Sequence, residues 1–134
     1  MTPLDVTWDP NLEWWQGTIL LESSQPFQLY VFARSEDRRI TEAARRTIER
    51  LASSEWASRQ FAAAQLHEIQ QSEWSEGEQV SVDEFASRLI PESVEVHESG
   101  YAELHFGDDD LFWGHTVGVR IRADGTFQEA VIEG

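Results

Sequence analysis

Alternating apolar and polar residues predict a pair of β-strands near the start of the chain. The first spans Trp14 to Glu22, and the second spans Phe27 to Arg34, where every other residue is apolar. The segment Glu22–Pro26 between them is rich in turn-forming residues, so a hairpin is expected. Residues 1–13 are mostly polar and contain two prolines, and we expect an irregular N-terminal arm there.

Helical periodicity follows over the middle of the chain. Ser35 is the predicted N-cap of a first helix, with acidic residues in its first turn. A break at Ser53-Ser54 precedes a second helix that starts near Glu55. The segment Ser81–Glu84 has the form of a capping box and starts a short third helix, which Pro91 ends. The apolar positions at helical spacing are Ile40, Ala44, Ile48, Leu51, Phe61, Ala62, Leu66, Ile69, Phe85 and Leu89.

The last third of the chain alternates again and predicts further strands. Two short strands, Val94–His97 and Ala102–Phe106, are followed by a long one from Leu111 to Arg122. Alternation along the long strand puts Trp113 and His115 on its apolar face, so both are expected in or near the core. A type I′ hairpin turn or a close variant is predicted at Asp124-Gly125, before a last strand that ends at Ile132.

This order of elements predicts the fold class. The sequence ββ-ααα-ββββ indicates an α+β domain, with an antiparallel sheet and helices packed on one face. The chain has 134 residues, a length typical of a single domain, and we expect one domain over residues 1–134.

Composition excludes several classes of protein. The chain contains no cysteine, so a disulfide framework, a thiolate nucleophile and a cysteine-based zinc site are all excluded. No apolar run is long enough to cross a membrane. The first ten residues lack the basic and apolar regions of a signal peptide, so we expect a cytoplasmic protein.

The charge of the chain points to the kind of partner. Its net charge is −15, and all ten basic residues are arginine. Such an acidic surface attracts basic proteins and repels nucleic acid and anionic lipid. The alternative is a bias of the whole genome or of a saline habitat, which would make the acidity unrelated to any partner.

Several segments together resemble a family of small uncharacterised bacterial domains. The residues that carry the resemblance are Trp15, Gly17, Trp56, Trp74, Asp110-Leu111-Phe112-Trp113-Gly114-His115 and Ala130-Val131-Ile132-Glu133-Gly134. Some similar small acidic domains are encoded beside bacterial toxins. The resemblance therefore implies an immunity-type role and no catalytic residues.

One face of the predicted hairpin between Val94 and Phe106 carries polar side chains suited to a metal. His97 and His105 are expected on this face together with Glu95 and Glu103, opposite the apolar side chains. Imidazole and carboxylate groups bind zinc or manganese, although no tight metal-binding motif is present. The alternative is a solvated face whose acids pair with arginines of the neighbouring strand.

The acidic turn before the predicted long strand, and the strand itself, hold further candidates. Asp108, Asp109 and Asp110 lack the spacing of an EF-hand loop, so a solvated acidic turn that could contact a basic protein is expected. His115 lacks a nearby nucleophile or acid, which favours a structural role over catalysis.

These observations favour a non-enzymatic, acidic cytoplasmic binding domain without a cofactor, such as an immunity-type protein that masks a basic toxin or another basic partner. Its predicted binding residues are Asp108, Asp109, Asp110, Trp113, His115, Glu95 and Glu103. One alternative is a small metal-dependent or hydrolytic enzyme that uses His97, His105 and Glu103. Another is a structural domain that forms a homodimer through a sheet edge or Trp14-Trp15.

Overall fold

The computed structural model describes residues 5–33 and 37–134. Over these residues the chain forms seven strands, three α-helices and one π-helical turn, Gln70–Trp74. The strands are β1 (Val6–Asp9), β2 (Trp14–Leu20), β3 (Pro26–Phe32), β4 (Ile90–Val96), β5 (Ala102–Gly107), β6 (Thr116–Ile121) and β7 (Phe127–Glu133). The helices are α1 (Glu42–Leu51), α2 (Glu55–Ile69) and α3 (Val82–Arg88).

The predicted order ββ-ααα-ββββ is wrong, because a third strand precedes the helices. β1 lies within the segment expected to be an irregular arm and pairs with β2, so that Val6 is opposite Gly17 and Trp8 is opposite Trp15. A Cβ atom at position 17 would clash with the carbonyl oxygen of Asp5. The absence of a side chain at Gly17 is therefore what allows β1 to approach.

The prediction of an antiparallel sheet is also wrong, because the sheet is mixed. Its strands lie in chain order from β1 to β7, and β3 and β4 are parallel while the other neighbours are antiparallel. All three helices connect β3 to β4. This long connection returns the chain to the end of the sheet where β3 began, as parallel neighbours require.

The helix caps agree with the sequence in one case and differ in another. Ser81 accepts a hydrogen bond from the backbone N–H of Glu84, which confirms the predicted cap of α3. The cap of α1 is Thr41, whose hydroxyl oxygen accepts from the N–H of Ala44. The predicted cap at Ser35 lies outside the described residues.

The helices and the inner face of the sheet enclose the core. Helix α2 packs on β6 and β7, and α1 contacts β4. Helix α2 also holds a buried ion pair between Glu55 and Arg59, whose oxygen and nitrogen atoms are 2.9 Å apart. The inner-face side chains of the strands are Phe27, Leu29, Val31, Val94, Val96, Ala102, Leu104, Phe106, Val117, Val119 and Ile121.

The predicted long strand from Leu111 to Arg122 is wrong in its first half. Residues 109–114 form turns, and β6 begins only at Thr116. Trp113 has a positive φ of 60° and is 60% exposed. It is therefore not part of the core, and the expected burial of this side chain is also wrong.

The last hairpin differs in its turn type. Among residues 123–126, the structure gives a positive φ to Gly125 alone, whereas a type I′ turn requires positive φ at two residues. A type I turn closed by glycine in the left-handed region fits these angles. Among the described residues, no helix is both long and apolar enough to span a membrane.

Candidate functional site

The described helices all pack on one face of the sheet, and no element of residues 5–33 and 37–134 covers the opposite face, here called the open face. Alternation along β4 to β7 directs one set of side chains into the core and the other set onto this face. Between β4 and β5, Glu95 is opposite Glu103, and Ser93 is opposite His105. The charged and titratable residues of β4–β7 on the open face are Glu92, Glu95, Glu103, His105, Arg120, Glu129 and Glu133.

His105 lies at the centre of three carboxylates. Its Nε2 atom is 3.8 Å from Oε2 of Glu95 and 3.9 Å from Oε1 of Glu103. On the other side of the ring, Nδ1 is 3.4 Å from Oε2 of Glu133. The Nε2 atom is buried and has no hydrogen-bond partner within the described part of the chain.

The electrostatics of this cluster disfavour charge on Glu103. Burial and the adjacent Glu133 together raise the pKa of the Glu103 carboxyl to about 7, against the opposing effect of Arg120. Glu103 is therefore protonated in part of the molecules near neutral pH. A cation placed beside it would favour the carboxylate form.

Arg120 is the basic residue among these acids. Its Nε atom is 3.7 Å from Oε1 of Glu103, and its guanidinium group also pairs with Glu129. A weaker contact joins it to Glu133 at 4.0 Å. One arginine thus neutralises only part of the carboxylate charge around it.

Gly118 provides the space in which the carboxylates meet. It is opposite His105 in the β5–β6 register. A Cβ atom at this position would lie 2.9 Å from Oε1 of Glu133 and 3.2 Å from Oε1 of Glu103. Any larger residue would force these two carboxylates apart.

Aromatic side chains occupy the neighbouring part of the open face. The ring of Trp14 packs against Tyr30 and Phe32, with centroids 4.6 and 5.4 Å away. His97 lies between Phe32, at 4.7 Å, and Tyr101, at 5.3 Å. The open face therefore combines an aromatic part with an acidic part.

The structure brings together some of the sequence-predicted metal ligands and separates others. His105 and Glu103 lie side by side, and Glu95 joins them, with the three ligand atoms within 4.8 Å of one another. His97 is the residue next to Val96, which is opposite Ala102, so it lies about four residues, or about 13 Å, from His105 along the strands. His97 therefore belongs to the aromatic part.

Asp108, the first residue of the acidic turn, stabilises the local backbone. Asp108 is 5% exposed, and its carboxylate accepts hydrogen bonds from the backbone N–H groups of Asp110, Phe112, Gly114 and His115 at 2.8–3.2 Å. These hydrogen bonds hold residues 109–114 in turns. The Asp108 carboxylate is therefore buried and hydrogen-bonded within the domain, whereas the sequence predicted a solvated turn.

The other predicted residues of this segment lie at the surface. Asp109 pairs with Arg88, its Oδ2 atom being 3.1 Å from Nε, and Asp110 is exposed. The indole N–H of Trp113 donates to the carbonyl oxygen of Trp74 at 2.9 Å. The half-buried ring of His115 lies 5.2 Å from that of Trp74, with its Nδ1 atom 2.6 Å from the carbonyl oxygen of Phe112.

Sequence reasoning missed two residues of the open-face cluster. Glu133 reaches His105 across the sheet because its strand, β7, pairs with β6, where Thr116 is its partner. Only the register of three strands reveals this proximity. Gly118 carried a signal, since a glycine within a strand of β-branched residues often marks a close approach.

A comparison with protein families places the chain among bacterial proteins. Residues 5–132 match the family described as "Uncharacterized protein conserved in bacteria (DUF2262)". The chain belongs to this family. The match runs from just before β1 to Ile132 in β7, which confirms the expected uncharacterised bacterial domain. Searches of curated proteins and of solved structures found no match.

Proposed function

We propose that this DUF2262 domain binds a basic protein through the open face of its sheet. The observation that supports this most directly is the charge of strands β4 to β7. Among the described residues of these strands, five glutamates on the open face accompany a single arginine, Arg120. Complementary charge of this kind accelerates association and selects against acidic partners.

The aromatic part of the open face supports the same proposal. Trp14, Tyr30 and Phe32 lie beside the carboxylates and are half-buried, so part of each ring surface is available. Arginine side chains stack on aromatic rings and pair with carboxylates. A partner with exposed arginines would find both types of contact on one surface.

The contact surface that we propose differs in part from the one expected from the sequence. Asp108 satisfies backbone groups of its own turn, and Asp109 is paired with Arg88. Both carboxylates are thus engaged within the domain. We therefore assign the main contact to the open face, including Glu95 and Glu103, and not to the acidic turn.

The test compares two pairs of charge-removing substitutions. Glu92→Gln with Glu129→Gln removes charge from the open face, whereas Glu49→Gln with Glu68→Gln removes the same formal charge from exposed positions on α1 and α2. Proteins captured from a lysate of the source bacterium are identified by mass spectrometry, purified and assayed for association rate. Between low and high salt, we expect the rate constant to fall by roughly tenfold or more.

The open-face variant should associate more slowly than the helix variant at low salt, and the two should converge at high salt. A rate constant that does not depend on salt would contradict the proposal. Equal effects of the two double substitutions would show that net charge acts without a defined contact surface.

In its narrower form, the proposal makes the partner a basic toxin domain that this chain masks. The resemblance to domains encoded beside bacterial toxins supports this form. The captured partner should then arrest growth when it is expressed alone and lose this effect when the domain is co-expressed. A captured partner that is harmless alone would leave the binding role standing and remove the immunity role.

A further inference from the structure

We propose that Glu95, Glu103 and His105 bind a divalent transition-metal ion on the open face. The Nε2 atom of His105 lies 3.8 Å from Oε2 of Glu95 and 3.9 Å from Oε1 of Glu103. Ligand atoms in a tetrahedral zinc site are roughly 3.4 Å apart. Small rotations of the two glutamate side chains would therefore bring all three atoms to bonding distance of one ion.

The position of His105 is the independent observation that points to a ligand. Its side chain is 14% exposed, and the buried Nε2 atom has no hydrogen-bond partner among the described residues. An unsatisfied buried polar atom is costly and rare in folded proteins. A metal ion between the two carboxylates would occupy the lone pair of this nitrogen.

Glu133 is placed to orient the imidazole ring. Its Oε2 atom is 3.4 Å from Nδ1, on the side opposite the proposed ion. A carboxylate at this position favours the tautomer with the proton on Nδ1, so that Nε2 is free to coordinate a metal. Gly118 leaves the space for this arrangement, because a Cβ atom there would clash with Glu133.

The donor set selects the class of metal. One imidazole nitrogen and two carboxylate oxygens suit zinc or manganese, whereas magnesium and calcium prefer oxygen ligands alone. Three protein ligands leave at least one coordination position open. His105 and Glu95 also line a shallow cavity of about 370 Å³, together with Ser93 and Thr116.

Arg120 is the group that competes with the ion. It contacts Glu103 at 3.7 Å but has a closer partner in Glu129. Its guanidinium group can therefore keep Glu129 while Glu103 turns toward the metal. The test of the basic partner uses Glu92 and Glu129, which are not ligands here, so either proposal can fail without the other.

The experiment titrates the full-length protein, freed of metal by a chelator and then desalted, with Zn²⁺ and Mn²⁺ in a calorimeter. We expect saturable binding of one ion per chain, with Mg²⁺ bound far more weakly. His105→Gln and Glu103→Gln should lower the affinity at least roughly tenfold, and Glu133→Gln by roughly 10–100-fold. The matched controls His97→Gln and Glu92→Gln remove a histidine and a charge from the same face without freeing Arg120, and they should leave the affinity nearly unchanged.

A second measurement on the unmodified protein does not depend on the folding of variants. Paramagnetic Mn²⁺ should broaden the ring resonances of His105 in nuclear magnetic resonance spectra before those of His97. Absence of saturable binding of either metal would overturn the proposal. Equal weakening by all of the substitutions, or equal broadening of both histidines, would also overturn it, because it would indicate a diffuse cloud of cations over an acidic surface.

Discussion

Asp108 shows how one buried side chain sets the course of the chain after β5. Its Oδ2 atom accepts hydrogen bonds from the N–H groups of Phe112, Gly114 and His115, at 2.8, 3.0 and 3.1 Å. These donors belong to a segment that would otherwise continue as a strand. The carboxylate thus accounts for the exposure of Trp113, whose position follows from this turn.

We predict that Asp108→Asn lowers the free energy of unfolding by roughly 2–4 kcal/mol, because hydrogen bonds to a charged acceptor are lost in a buried position. Asp109→Asn is the matched control, since it removes the same charge from the next residue. Its exposed pair with Arg88 is expected to contribute about 1 kcal/mol or less. Denaturant unfolding of both variants measures the difference, and equal stabilities would show that the turn does not depend on the buried carboxylate.

The raised pKa of Glu103 predicts how the stability of the folded protein changes with pH. Its pKa is about 7 in the folded protein, compared with 4.5 for an ordinary glutamate, so the folded state holds the proton more tightly. The stability from this group is fully present below about pH 4.5 and is lost as the pH rises through 7. We predict that wild-type protein loses thermal stability relative to Glu103→Gln between pH 4.5 and 8, measured in the presence of a chelator.

Asp124→Asn is the control, because the contribution of Asp124 to stability depends on pH in the opposite direction. Hydrogen bonds from Thr126 lower the pKa of Asp124, so its contribution is present above the ordinary pKa of 3.8 and disappears as the pH falls. A wild-type curve parallel to that of Glu103→Gln over the whole range would mean that the cluster imposes no cost on the charged carboxylate.

At the scale of elements, the sequence predicted correctly those helices and strands that are specified by a repeating apolar pattern and by hydrogen bonds between nearby residues. Helix α2 begins at Glu55 as expected, and Ser81 caps α3. On β3, the alternating Phe27, Leu29 and Val31 are all buried. Each of these features depends on residues close together in the chain, so a local pattern is sufficient.

Elements that depend on one specific contact, and not on a repeating pattern, were missed. β1 has only four residues, and it is a strand because Gly17 admits its backbone beside β2. The turn after β5 depends on the buried carboxylate of Asp108, which accepts from several N–H groups of the next seven residues. Neither cause leaves a periodic signal, so the apolar alternation around Trp113 predicted a strand that the carboxylate prevents.

The candidate site was predictable to the same extent. A hairpin register alone places Glu95, Glu103 and His105 on one face, and this proximity followed from the sequence. The contribution of Glu133 required the order of β5, β6 and β7. The separation of His97 from His105 also required the register, since a shared face says nothing about distance along a strand.

At the scale of the whole molecule, the acidic charge acts on folding and on binding in opposite directions. The chain carries 25 acidic and 10 basic residues. Self-repulsion among the excess acids destabilises the compact state, whereas the same field attracts a basic partner. Salt screens both effects.

We therefore predict that added salt raises the melting temperature of the isolated domain. The screening length shrinks from about 30 Å at 0.01 M to about 8 Å at 0.15 M salt, so repulsion between distant acids weakens most. Exposed pairs such as Arg88–Glu78 also weaken, but each contributes about 1 kcal/mol or less. Thermal unfolding in NaCl with a chelator tests this balance. A melting temperature that falls with salt would mean that the ion pairs outweigh the repulsion, and it would place the acids in stabilising pairs rather than leaving them free to attract a partner.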